Sequence, residues 1–181
     1  SGAGTMTSTA SSTRPTTSST SSSSAAGSSV TSGPPTTSVV AVDPNVPAAA
    51  RVNTDAGAEA FVKYYVQQIN RAWTVPDPSL LVPLSKPGCT GCQNFMDQAR
   101  SAVKSGQRYI GIPVTVKDVV VVERPSANLV VVRVVGSQSA ARVVDVSGKT
   151  VQSISPRRID LAFDVLFEDG WKVQQTRKVT A

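Results

Sequence analysis

The sequence predicts an α+β domain in which N-terminal helices pack on one face of a curved antiparallel sheet, preceded by a disordered tail. Three observations predict it. Residues 1–50 contain no Phe, Tyr, Trp or Cys and only two charged side chains, Arg14 and Asp43. Residues 55–73 and 91–105 then carry apolar side chains at three- and four-residue steps. Beyond Gly106 the chain turns to Val-rich runs and strict alternation, and it never returns to a helical period. Helices first and strands afterwards argue against alternating parallel units and for an antiparallel meander.

The leading segment runs through SSTRPTTSSTSSSSAAGSS and TSGPPTTS. Without aromatics and almost without charge it buries too little apolar area to offset the entropy of ordering, so residues 1–50 are expected to form a disordered linker and 51–181 the domain. Deleting residues 1 to about 50 is accordingly expected to leave the thermal midpoint unchanged. The chain starts at Ser1 with no apolar signal region, and Ser1-Gly2-Ala3-Gly4 suits the small, polar start of a mature lipoprotein just behind its lipidated cysteine.

Within the domain, Ala58, Phe61, Tyr65, Ile69 and Ala72 or Trp73 form one stripe, while Glu59, Lys63, Gln67 and Arg71 occupy other faces. Thr54 or Asp55 can cap this helix, and Pro76 and Pro78 forbid its continuation. Residues 79–84 suit a short apolar turn. A second helix over 91–105 places Phe95, Ala99 and Val103 on its buried side and closes at Gly106. Strands follow over Tyr109–Glu123, Leu129–Val135 and Ala140–Val146. The clearest is Ile159, Leu161, Phe163, Val165 and Phe167 alternating with polar neighbours, and Asp169-Gly170 turns it into a returning strand from Trp171. A strand of about ten residues spans roughly 33 Å, more than two helices cover on a flat sheet, so the sheet is expected to curve around them.

Of the 18 basic and 12 acidic residues the tail holds one each, so the domain carries the whole net charge of +6. The basic side chains are dispersed, which suits a solvated exterior or attraction to an anionic surface. Nothing interleaves aromatic and basic residues as single-strand nucleic-acid binders do, so no nucleic-acid partner is expected. The chain has no histidine. That removes the commonest general base, the serine–histidine triad and the facial iron triad, and with only two cysteines it leaves a zinc shell unfilled. No cofactor, no metal and no catalytic residue is expected.

The helix AEAFVKYYVQQINRAW followed by LVPLSKPGCTGCQNFMDQ resembles an uncharacterised family of actinobacterial lipoproteins built on the cone-shaped fold of nuclear-transport-factor and SnoaL-like (cystatin-like) proteins. The resemblance covers residues 51–181, and PGCTGCQ is its most specific part. It implies a curved sheet packed on helices, export and lipid anchoring outside the cell membrane. It implies no activity.

Cys89-Thr90-Gly91-Cys92 is the one dense motif. Such a pair at a helix N-terminus can serve thiol exchange, but the oxidoreductases that use it place a strand directly before the motif, and here LVPLSKPG precedes it. A local structural disulfide is the expected reading. Among carboxylates, Asp160 and Asp164 fall on the polar side of the alternating strand and read as solvent residues, whereas Asp118 shares a face with Val116 and Val120. Tyr64, Tyr65, Trp73, Phe95 and Tyr109 suit either plain core or the mouth of a cone. Tyr65, Trp73, Tyr109 and Asp118 are thus the candidate ligand-binding residues. The expected function is a non-enzymatic module of the cell envelope that docks a protein or wall component from a flexible stalk. A carrier or sensor of apolar, ring-shaped ligands is the alternative, and an isomerase-like enzyme of the same fold ranks below it.

Overall fold

The computed structural model describes Gly2 and residues 44–179; residues 1 and 3–43 of the expected tail lie outside the described residues. Packed structure begins before the compositional seam. Ala48–Arg51 form a 3-10 turn in which Val46 and Ala50 are buried. Arg51 ties it back, donating from Nε to the Val46 carbonyl and from a terminal nitrogen to that of Pro44. The expected domain start at residue 51 therefore moves to about residue 44, because two small apolar side chains are enough once a core exists to receive them. A chain beginning at Val52 is expected to be less stable than one beginning at Pro44 by about 1–3 kcal/mol, the burial of one valine and its neighbour. Identical thermal midpoints for the two would refute this.

Helix α1, Asp55–Thr74, is capped by Thr54, one of the two expected candidates, whose hydroxyl accepts from the Gly57 amide at 3.0 Å. It is the central element. The expected stripe is buried, and so are Val62, Tyr64 and Val66, because the 3-10 turns, the second helix and the sheet approach α1 from several sides. Pro78–Leu84 is a second 3-10 turn, started by the Asp77 carboxylate on the Ser79 amide and hydroxyl, and it buries Leu81 and Leu84. Helix α2, Thr90–Ser105, ends at Gly106 in the left-handed conformation, φ 63°. Its buried line is Cys92, Met96, Ala99 and Ala102. Val103, expected inside, is instead 54 % exposed. The true line sits one position around the helix from the expected one.

Seven strands follow among the described residues: β1 Arg108–Ile110, β2 Val114–Glu123, β3 Leu129–Gln138, β4 Ala141–Val144, β5 Thr150–Ile154, β6 Arg157–Phe167 and β7 Trp171–Lys178. They form two antiparallel sheets rather than the one expected, a large sheet in the order β2-β3-β6-β7 and a small one in the order β1-β4-β5. The run Tyr109–Glu123 divides because Gly111 takes φ 94° and Pro113 cannot donate to a ladder. Strand β5 has almost wholly exposed side chains, so no apolar alternation announces it.

The inner face of the large sheet carries Val130, Val132, Val134, Phe163, Val165 and Val173, all at 1 % exposure or less. Tyr65 of α1 meets Phe163 edge to face at 6.0 Å between ring centroids. Both edges of this sheet take bonds from neighbouring elements, which blunts them against pairing with another chain. Along β2, Asn70 of α1 both donates to and accepts from the Val114 backbone, at 2.7 and 2.9 Å, and the Glu59 carboxylate takes the Val121 amide at 3.1 Å. Along β7, the Lys86 amide donates to the Val173 carbonyl at 2.8 Å.

Candidate functional site

The alternation that buries Phe163 also decides what stands at one end of the large sheet. Strand β6 pairs with β3 without a break, from Leu129 opposite Leu166 to Gln138 opposite Arg157, so Arg157, Ile159, Leu161 and Phe163 share the inner face. Strand β7 slips register beside Asp164, which brings Thr176 opposite Phe163 and Lys178 opposite Leu161. Both therefore point to the inner face as well. Here the C-terminal half of α1 and the first turns of α2 part from the sheet and leave an open groove of about 670 Å³.

Its walls are apolar: Ile69 and Trp73 from α1, Phe95 from α2, and Ile159 and Leu161 from the sheet. Trp73 is fixed from two sides. Its indole nitrogen donates to the Phe95 carbonyl at 3.2 Å, and its ring stacks on Tyr109 at 5.4 Å. The lip is basic, with Arg133, Arg157, Arg158, Arg177 and Lys178. These cations divide by sheet face. On the outer face Arg133 forms a two-pronged pair with Asp160 at 2.8 and 2.7 Å, Arg158 reaches the same carboxylate at 3.4 Å, and Arg177 pairs with Asp164. On the inner face Arg157 donates from Nε to Gln138, a neutral and buried side chain, at 2.5 Å. Lys178 has no hydrogen-bond or ionic partner among the described residues.

The sequence candidates separate accordingly. Trp73 lines the groove. Tyr109 supports it from behind, and burial raises its phenol above the ordinary value. Tyr65 is not at a mouth at all: it is fully buried, and its hydroxyl donates to Ser85 at 3.0 Å while Ser85 donates to the Leu81 carbonyl at 2.8 Å. Asp118 is exposed. A register shift between Val116 and Asp118 reverses the alternation of β2, so Val119 and Val121 pack inward and Asp118 joins Val120 outside. Asp160 and Asp164, expected to be free solvent residues, are ion-paired. Arg133, chiefly by its hydrogen bond, holds the Asp160 carboxyl below the usual range. The stability this pair contributes is present above the ordinary aspartate value of ~3.9 and is lost as pH falls through the lower folded value. A carboxylate so held is a weak proton acceptor at neutral pH.

Arg157 was within reach of sequence reasoning, since extending the phase of Phe163, Leu161 and Ile159 by one step lands on it. Lys178 was not, because only the slip in β7 brings it inward.

Burial pushes the Tyr65 phenol up to about 12 against the opposing pull of its Ser85 bond. A raised folded value keeps its contribution intact below pH ~10 and removes it as pH rises toward 12. Alkaline unfolding is therefore expected to begin near pH 10 in the wild type, and Tyr65→Phe is expected to flatten that limb. An unchanged alkaline limb in the variant, followed by circular dichroism, would contradict the assignment.

Cys89 and Cys92 are joined, with Cα atoms 5.2 Å apart, and both are buried. The bond fixes the loop before α2 where it lies against β7. By the chain-entropy account so short a loop contributes roughly 2 kcal/mol. Titration of the denatured, unreduced protein is expected to find no free thiol, and Cys89→Ser with Cys92→Ser to lower stability by about that amount. Two reactive thiols in the isolated protein would sink this expectation.

Residues 40–177 match a family of unknown function, DUF6318. The chain belongs to DUF6318. No curated protein matches it in sequence. The DUF6318 domain is similar in structure to the intermembrane space region of the chloroplast protein ARC6, with 16 % identity and a TM-score of 0.54 over 71 % of this chain and 98 % of that one. That likeness is one of fold. Bd1075 of Bdellovibrio bacteriovorus matches at 12 % identity and a TM-score of 0.42, over 70 % of this chain and 42 % of its own. A putative calcium/calmodulin-dependent protein kinase II association domain from Xanthomonas campestris matches at 12 % and 0.38, over 71 % and 89 %.

Proposed function

We propose that this DUF6318 domain is a non-enzymatic binding module of the cell envelope that takes its ligand into the groove beside Trp73. One observation carries the reading: the groove is open and apolar-walled, and its lining carboxylate, Asp160, is locked by Arg133 rather than poised as a base. The wider setting belongs to the same proposal. The domain is a nuclear-transport-factor-like cone, exported from an actinobacterial cell, displayed on the Ser/Thr/Pro/Ala-rich segment and anchored by an N-terminal lipid. The buried Cys89–Cys92 bond supports an oxidising compartment, and among the described residues no helix is long and apolar enough to cross a membrane.

The test is native purification of the full chain from its own envelope, with mass spectrometry of small molecules and proteins that accompany it. Leu161→Arg fills the groove from a half-buried position and is expected to abolish accompaniment while leaving the fold intact. A co-purified species retained by that variant, or turnover of any envelope extract that Asp160→Asn abolishes, would overturn the reading. A small molecule lost with Leu161→Arg identifies a carrier; a protein lost with it identifies a docking module.

A further inference from the structure

Four inner-face side chains at the groove end of the large sheet form a gradient. Phe163 is buried at 1 % exposure, Leu161 and Ile159 are half-buried, and Arg157 is exposed. Lys178 stands across from Leu161 on β7. The path from Phe163 to Arg157 covers about 20 Å at the rise of an extended strand. It leads from closed core along an apolar wall flanked by one cation, Lys178, and ends at a second, Arg157. Those cations differ from the others of the lip. Arg133, Arg158 and Arg177 are satisfied by Asp160 and Asp164 on the outer face, whereas among the described residues neither Arg157 nor Lys178 touches a carboxylate. Gln138, itself buried at 5 % exposure, holds Arg157 by Nε alone, so its terminal nitrogens keep their donors for another acceptor. A planar guanidinium fixed at one nitrogen is well suited to an oxyanion, because charged acceptors make the stronger hydrogen bonds. Beside them, Trp73 and Phe95 close the apolar wall from the helical side.

Resting on the binding reading above, we propose that the groove holds one molecule of a single-chain anionic amphiphile, its phosphate or carboxylate headgroup on Arg157 and its alkyl chain against Trp73, Phe95, Leu161 and Ile159, beside which Lys178 adds positive charge. The apolar wall supplies area-dependent, non-directional attraction, and Arg157 fixes which end of the molecule lies at the lip. A neutral headgroup leaves the guanidinium without a charged acceptor, and a bare anion leaves the wall wet. Recognition therefore requires both parts of the ligand.

The full chain is titrated with dodecyl phosphate below its micellar concentration, with dodecyl maltoside and with inorganic phosphate, by calorimetry and by the fluorescence of Trp73 in a Trp171→Phe background. Dodecyl phosphate is expected to bind and shift the Trp73 emission, with affinity at least tenfold above either control. Arg157→Gln is expected to weaken it about tenfold and Lys178→Ala by less, whereas Arg124→Gln, which removes a cation paired to Asp55 away from the groove, leaves it unchanged. Arg157, Lys178 and Arg124 are exposed and Trp171 is buried, and melting curves of all variants and of the Trp171→Phe background establish that they fold. Equal binding of the maltoside, equal binding of inorganic phosphate, or an equal loss with Arg124→Gln overturns the proposal. If dodecyl phosphate fails while Leu161→Arg still abolishes native accompaniment, the ligand class is wrong and the groove reading stands; if neither responds, both fall.

Discussion

Phe163→Ala is expected to lower stability by about 3–5 kcal/mol, the usual cost of truncating a fully buried phenylalanine. The side chain is 1 % exposed, faces Tyr65 edge to face, and stands between Val132 of β3 and Thr176 of β7 in register. All three elements it joins are fixed by their own hydrogen bonds, so the cavity has little freedom to collapse. Asp164→Ala, one residue along and on the opposite face, removes only a partly exposed pair with Arg177, and such pairs contribute about 1 kcal/mol or less. Urea melts of the two variants measure the difference. Equal, small losses would mean that the face assignment of β6 is wrong, and with it the placement of Arg157.

The second large effect runs against strand propensity. Gly136 lies within β3, where a valine ordinarily favours a strand over glycine. A Cβ at Gly136 would stand 2.3 Å from the Thr115 carbonyl oxygen and 3.2 Å from the Val116 Cα. Both are backbone atoms of the neighbouring strand, beside the register shift that turns Asp118 outward. Relief requires β2 to move, yet Asn70 and Glu59 of α1 hold it along its other side. Gly136→Val is therefore expected to cost about 3 kcal/mol or more, at or above the upper end of ordinary overpacking. A variant as stable as wild type would show that β2 yields freely, and the covering of that edge by α1 would lose its energetic meaning.

Local and periodic signals were legible without coordinates. The Thr54 cap, the stops at Pro76 and Gly106, the stripe of α1, the burial of Phe163 and the hairpin at Asp169-Gly170 each depend on residues within a few positions of one another. Tyr65 shows the limit of that reasoning. Its helical phase places it inward, but whether inward means a ligand mouth or solid core depends on Ser85 and Phe163, which only folding brings to it.

The sequence by itself determined the helices-then-strands order, the face of β6 and hence the presence of a cation, Arg157, in the phase of the core. These follow from backbone periods of 3.6 and 2 and from the conformational limits of proline and glycine. The tertiary structure alone decided the division into two sheets, the outward turn of Asp118, the inward turn of Lys178 and the pairing of Asp160 and Asp164 with arginines. Each of these rests on a register shift or on a neighbour in another strand. A one-residue slip in pairing reverses every side chain beyond it, and no local period records where such a slip will fall.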